Sequence, residues 1–239
     1  SDNTPYSNSQ PIKVCADGSS ATYFKVNVSN TSLISFKILD EFGIEATDNE
    51  KYGSLGALNV FGNDVEVNYT HPQFMDAIGL FNPCTLQLLF NGAPITGALF
   101  PLNIYRSPIV FVHGFLGGQS TFEDFENDLI SSNLYPAGAI NPLLFRIDYS
   151  SSNTDHFFAN RNRVQVGIDE VFRRARFSNY SAGKVILIGH SMGGILARLY
   201  LQSTYANCNY RFDLNKLITV NTPNYGTQFA NWGINNHFL

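Results

Sequence analysis

"KVILIGHSMGGILARLY", residues 184–200, passes from an apolar run through a glycine-flanked serine into a segment with helical spacing. Val185 to Ile188 read as a strand, and Ile195, Leu196, Leu199 and Tyr200 recur at the spacing of one buried helix face. The junction is Gly189-His190-Ser191-Met192-Gly193, a G-x-S-x-G pattern. At a tight strand-to-helix turn such a serine takes a strained backbone conformation. A side chain two residues to either side would strike the adjoining strand or helix. Strand, turn and helix together mark Ser191 as a candidate nucleophile; the alternative is an inert serine in a glycine-rich βα turn.

A serine that attacks a carbonyl also needs donors for the oxyanion it creates. The backbone N–H of Met192, first residue of the helix, is one candidate. "HGFLGG", residues 113–118, follows the apolar strand "PIVFV" and offers the second, the N–H of Phe115, on a loop freed by Gly114, Gly117 and Gly118. His113 is read as a brace for that loop.

Strands alternate with amphipathic helices on both sides of these motifs, the pattern of a parallel sheet built from βαβ units. Thr121 is placed as the cap of a helix with Phe122, Phe125, Leu129 and Ile130 on one face. "NPLLFRIDYS" is the next strand. Val164, Ile168, Val171, Phe172 and Ala175 then form an apolar helical stripe, and "KLITVN", residues 216–221, is a further strand. The arginines around the stripe, interspersed with Asp169 and Glu170, read as a solvated face.

Residues 1–105 differ. "ATYFKVNVS", "LISFKIL", "DVEVNYT" and "TLQLLF" are short strands separated by turn residues, and no long stretch has helical spacing. This part reads as an all-β sandwich, immunoglobulin-like in outline, ahead of an α/β portion at 106–239.

Charged residues are 14 % of the 239, against a usual ~25 %, and the net charge is −4, so nothing recommends nucleic acid as a partner. No apolar run reaches the ~18 residues of a membrane span. The chain starts at Ser, as it would after removal of a signal peptide, and has sequons at Asn27, Asn30, Asn68 and Asn179. Both features suit a secreted or extracytoplasmic protein. Cys15 and Cys84 could staple the sandwich in an oxidising compartment, leaving Cys208 single; three buried thiols is the other reading.

"IVFVHGFLGG", "FRIDYSSSN", "KVILIGHSMGGILARLY" and "LITVNTPNYGT", taken in order, resemble the lipase and esterase branch of the α/β-hydrolase superfamily. The resemblance covers 108 to about 228. It implies Ser191 as nucleophile, Phe115 and Met192 as oxyanion donors, no metal or cofactor, and an ester or lipid substrate. Relatives often read T-P-H-x-G where this chain has Asn224.

The family order Ser, acid, His leaves only Asp213 and His237 after Ser191. Asp213 precedes its strand and so falls at the sheet edge opposite Ser191, about 17–20 Å away. His237 comes 16 residues after Asn221, where the family places two further strands and each unit takes roughly 30 residues. His190 belongs under the turn, His156 on a loop and His71 in the sandwich. Base and acid are therefore expected from a C-terminal segment or second chain that completes the hydrolase sheet, with these residues alone nearly inactive. The expected function is serine-dependent hydrolysis of carboxylic esters. The alternative is a binding or adhesion protein that uses the sandwich and carries a non-catalytic hydrolase-like scaffold.

Overall fold

The computed structural model describes residues 10–76, 78–155, 157–205 and 208–228. The chain forms two compact units: Ser1–Ser107 with Asn133–Tyr135 and Ala175–Gly183, and Pro108–Ser132 with Pro136–Arg174 and Lys184–Leu239.

The first unit opens with β1 (Ile12–Ala16), β2 (Ala21–Asn27) and β3 (Ile34–Leu39), then a single helical turn, α1 (Asn49–Tyr52). β4 (Ser54–Phe61), β5 (Asp64–Thr70), β6 (Phe81–Phe90) and the long β7 (Ala93–Arg106) follow. Alternation decides which side chains go inside: in β5, Val65, Val67 and Tyr69 are buried while Asp64, Glu66 and Asn68 are only partly covered. β2, β5 and β4 make one sheet; β1, β7, β6 and β3 make the other. Their inner faces share one core, with Phe24, Val67 and Tyr69 from the first and Val14, Ile38, Leu86 and Ile104 from the second. That is a sandwich.

Its outermost strand, β10 (Tyr180–Ser181), arrives from far along the chain and pairs with β1 in parallel, Lys13 opposite Tyr180. The buried carboxylate of Asp17 holds it, accepting the Gly183 N–H at 2.8 Å and the Ser20 N–H at 2.8 Å. His71, 2 % exposed, donates from Nδ1 to the Cys15 carbonyl at 3.0 Å, so its Nε2 accepts from Thr22 Oγ1 at 2.9 Å. Burial lowers its pKa below the ordinary imidazole value.

The Cys15–Cys84 staple does not form; both thiols are free and buried. Cys84 faces the shared core with Val14 and Ala16, so Cys15, between those two on β1, points to the other face. β7 also lies between their strands. Cys208 is buried in the second unit, its thiol donating to the Arg161 carbonyl at 3.3 Å.

The second unit is a parallel sheet ordered β14, β11, β8, β9, from β8 (Ile109–Val112), β9 (Leu144–Ile147), β11 (Val185–His190) and β14 (Leu214–Val220). β8 is buried along its whole length, as a central strand covered on both faces must be. α3 (Phe157–Phe177) and α4 (Met192–Leu201) bury Val164, Ile168, Val171, Leu196 and Tyr200 with Val110, Val112 and Leu187. α2 (Glu123–Ser131) starts one residue later than a Thr121 cap requires, because residues 119–122 form a tighter 3₁₀ turn. Phe122 from that turn stacks on Phe111, ring centroids 5.0 Å apart. No α2 side chain is fully buried, and Phe125 is 45 % exposed. A short ribbon of β12 (Thr204–Tyr205) and β13 (Cys208–Asn209) precedes β14. β14 is the outer strand of this sheet among the described residues, with Ile218 and Val220 exposed. Among the described residues no helix is long and apolar enough to cross a membrane.

Candidate active site

Ser191 stands between the end of β11 and the first turn of α4, with φ 52° and ψ −122°. Its N–H donates to the Val220 carbonyl at 2.8 Å, which ties the turn to the end of β14. The conformation is left-handed and costs a side-chain-bearing residue about 1–3 kcal/mol. It persists because the flanking glycines let α4 close down on the sheet. A Cβ on Gly189 would lie 2.6 Å from Gly194 Cα, and one on Gly193 would overlap the carbonyls of Val112 and His113. Gly194, which the motif does not require, faces Thr222 just as closely.

The glycine loop after β8 reaches the same point: a Cβ on Gly114 would be 2.9 Å from Ser191 Cβ and 3.1 Å from His190 Nδ1. The structure therefore brings the HGFLGG loop, Ser191 and the N-terminus of α4 together, with Phe115 beside Gly114 and Met192 opening the helix. His113 is 1 % exposed and lies flat on Tyr149, ring centroids 4.0 Å apart. Its Nδ1 donates to the Gly114 carbonyl at 2.9 Å while its Nε2 accepts the Tyr149 N–H at 3.3 Å. Both ring nitrogens are thus committed to bracing, and burial lowers the pKa below the imidazole norm.

His71 and His113 give stability the same pH dependence. Each has a folded pKa below its unfolded value near 6.5, so protons bind the unfolded chain more readily. Their contribution is complete above about pH 6.5 and is lost as pH falls from there towards the depressed folded values. Urea midpoints should drop between about pH 7.5 and about pH 5.5. A midpoint that stays constant over that window would show that the two rings accept protons without opening the fold.

Asp213 sits at the far end of β14 from Ser191, 6 % exposed. It accepts from the Tyr200 hydroxyl at 2.7 Å and pairs with Arg211 at 3.0 Å, a structural network at the opposite edge of the sheet. Asn224 accepts from Arg198 at 2.7 Å. With Leu217 and Tyr225 these two line a groove of about 530 Å³ beside β14, which contains none of the candidate site residues. His237 and His156 lie outside the described residues. Among the described residues no cluster of ligating side chains suits a metal.

The family model of the PGAP1-like alpha/beta domain matches residues 103–237, more than half of the chain. The chain belongs to the PGAP1-like alpha/beta domain family. The PGAP1-like region thus carries a lipase- and esterase-like α/β-hydrolase scaffold. No curated protein sequence matches it. Solved structures similar to parts of the chain include the Lin-41 filamin domain, 19 % identical over 40 % of this chain and 85 % of that one, TM-score 0.27. Another is the Yersinia pseudotuberculosis adhesin InvE, 12 % identical over 43 % and 29 %, TM-score 0.30. A 2,6-sialyltransferase of Photobacterium sp. is 13 % identical over 82 % and 44 %, TM-score 0.21. At these scores none bears on the PGAP1-like domain's chemistry.

One contributor was not visible in the sequence. Asn153, 3 % exposed, reaches from the turn after β9 into the glycine loop. A lone asparagine at the end of a serine run has no periodicity or spacing that would single it out.

Proposed function

We propose that this chain provides the nucleophile and oxyanion hole of a serine-dependent carboxylic ester hydrolase. The observation that carries the reading is the strained Ser191, seated at the N-terminus of α4 with Gly114 of the glycine loop against it. Ser191 Oγ attacks the ester carbonyl carbon and passes its proton to a base. The resulting oxyanion takes hydrogen bonds from the N–H groups of Met192 and Phe115. The tetrahedral intermediate collapses to an acyl-enzyme, expelling the alcohol with a proton from the base, and water then releases the acid by the same route.

Base and acid come, in this proposal, from a polypeptide segment that extends the sheet beside β14. The exposed Ile218 and Val220 and the adjoining groove support that placement. Lipid esters are the favoured substrates; Leu116, 65 % exposed on the glycine loop, supports an apolar contact next to the nucleophile. We read the N-terminal part, 1–105, as an immunoglobulin-like domain, supported by the parallel pairing of β1 with β7. The exposed sequon residues Asn27 and Asn30 support a secreted or extracytoplasmic location.

A fluorophosphonate probe tests the reading. Labelling is expected at Ser191 in the protein as it occurs, with whatever segment supplies the base, and should vanish in Ser191→Ala. Absence of labelling from that protein would sink it.

A further inference from the structure

We propose that Asn153 is a positioning residue for the oxyanion hole: its amide aims the Phe115 N–H by holding the peptides on either side of it. The proposal rests on the esterase reading above. Asn153 follows the turn Ser150–Ser152 after β9, and that turn is itself pinned. Ser152 Oγ donates to Asn160 Oδ1 at 2.6 Å, and Asn160 Nδ2 donates to the Ser152 carbonyl at 2.7 Å.

From this anchor the buried amide makes contacts at three points on the glycine loop. Oδ1 accepts the Leu116 N–H at 2.9 Å. Nδ2 donates to the Gly114 carbonyl at 3.1 Å and to the Gly117 carbonyl at 3.4 Å. The Gly114 carbonyl also accepts from His113 Nδ1 at 2.9 Å and from the Gly117 N–H at 3.1 Å. In a planar trans peptide the N–H points opposite to the C=O. Three donors that fix the Gly114 carbonyl on one side thereby fix the Phe115 N–H on the other.

The bond to Leu116 has a second effect. Leu116 has φ 56°, a conformation that bulky residues rarely adopt. Its N–H is held there by Asn153, while its side chain stays 65 % exposed. Without the amide the loop has every reason to relax, carrying the Phe115 N–H away from the oxyanion position. Aspartate has the same shape but the wrong polarity: it accepts from Leu116, yet as a carboxylate it turns an oxygen on the Gly114 and Gly117 carbonyls. Only its protonated form regains a donor, and burial raises the pH at which that form appears.

The test uses p-nitrophenyl acetate turnover by the protein as it occurs, with Asn153→Ala and Asn153→Asp. In both, kcat is expected to fall on the order of 10- to 100-fold, with KM within about twofold, since a donor used in the transition state is misplaced. The ratio of Asn153→Asp to parent activity should rise as pH is lowered towards about 5.5, as the buried carboxyl protonates. If both variants melt earlier but keep the parent's kcat, Asn153 is a structural residue and the proposal is overturned. A ratio that does not change with pH overturns the donor role equally. Should Asn153→Ala fail to fold, the isosteric Asn153→Asp decides. A parent protein with no turnover and no fluorophosphonate labelling at Ser191 defeats the esterase reading itself, and this proposal with it; a reactive parent with unimpaired variants defeats this proposal alone.

Discussion

Ser191→Gly is expected to give a chain that is more stable than its parent and has lost its reactivity. The φ of 52° and ψ of −122° at Ser191 cost a side-chain-bearing residue about 1–3 kcal/mol, whereas glycine adopts them freely. The greater freedom of glycine in the unfolded chain takes back about 0.5–1 kcal/mol of that relief. The net gain, ~1 kcal/mol, corresponds to a rise in melting temperature of roughly 2–4 °C for a chain of this length. Reactivity towards fluorophosphonate should fall at least ~10⁴-fold, because the oxygen proposed as the nucleophile is gone. Ser191→Ala separates the two effects: it loses the oxygen but keeps the Cβ that makes the conformation costly. A Ser191→Gly chain that melts below Ser191→Ala would show that the turn stores no strain.

The second large effect belongs to Gly193→Ala. The added Cβ would overlap the carbonyls of Val112 and His113, and both obstacles are backbone at the end of β8, a strand held between β11 and β9. No side-chain rotation relieves such a clash, so α4 must lift off the sheet. We expect a loss of about 3 kcal/mol, a melting temperature lower by roughly 6–12 °C, and weaker Ser191 labelling because the glycine loop shifts with His113. Gly118→Ala is the matched control. Gly118 has an extended φ of −155°, and open space surrounds its Cβ position, so its substitution should stay within about 0.5 kcal/mol. Equal tolerance at the two positions would refute the packing account.

The elbow was legible because its requirements are local. A strained serine needs glycines two residues away, and a strand buried on both faces needs an unbroken apolar run such as Ile109–Val112. The helix stripe of Val164, Ile168 and Val171 was legible by the same logic, since periodicity reports burial directly. Three features were not. β10 is two residues long, too short to carry any period, and its place is set by a carboxylate, Asp17, that stands 163 positions earlier. The start of α2 was missed because the 3₁₀ turn before it buries Phe122 by stacking, which cap chemistry does not report. Asn153 acts through contacts with residues 36 to 39 positions away, and its neighbours in sequence give no sign of them. The faces of Cys15 and Cys84 could have been read from alternation, but only once the strands were known to share a sheet with β7 between them.

The borrowed strand gives the chain a timetable. β1 through β7 leave the ribosome first, yet the partner for the outer edge of β1 is made about 70 residues after Arg106. At ~5–20 residues per second that is a wait of roughly 4 to 15 s, during which the backbone of Lys13 and Val14 has β7 on one side and no strand on the other, and Asp17 has no Gly183 to hold. Sandwich folding therefore begins on the nascent chain but finishes only when Tyr180 and Ser181 emerge. By then β8, β9 and α3 have emerged, while Ser191, a few residues further along the chain, has yet to do so.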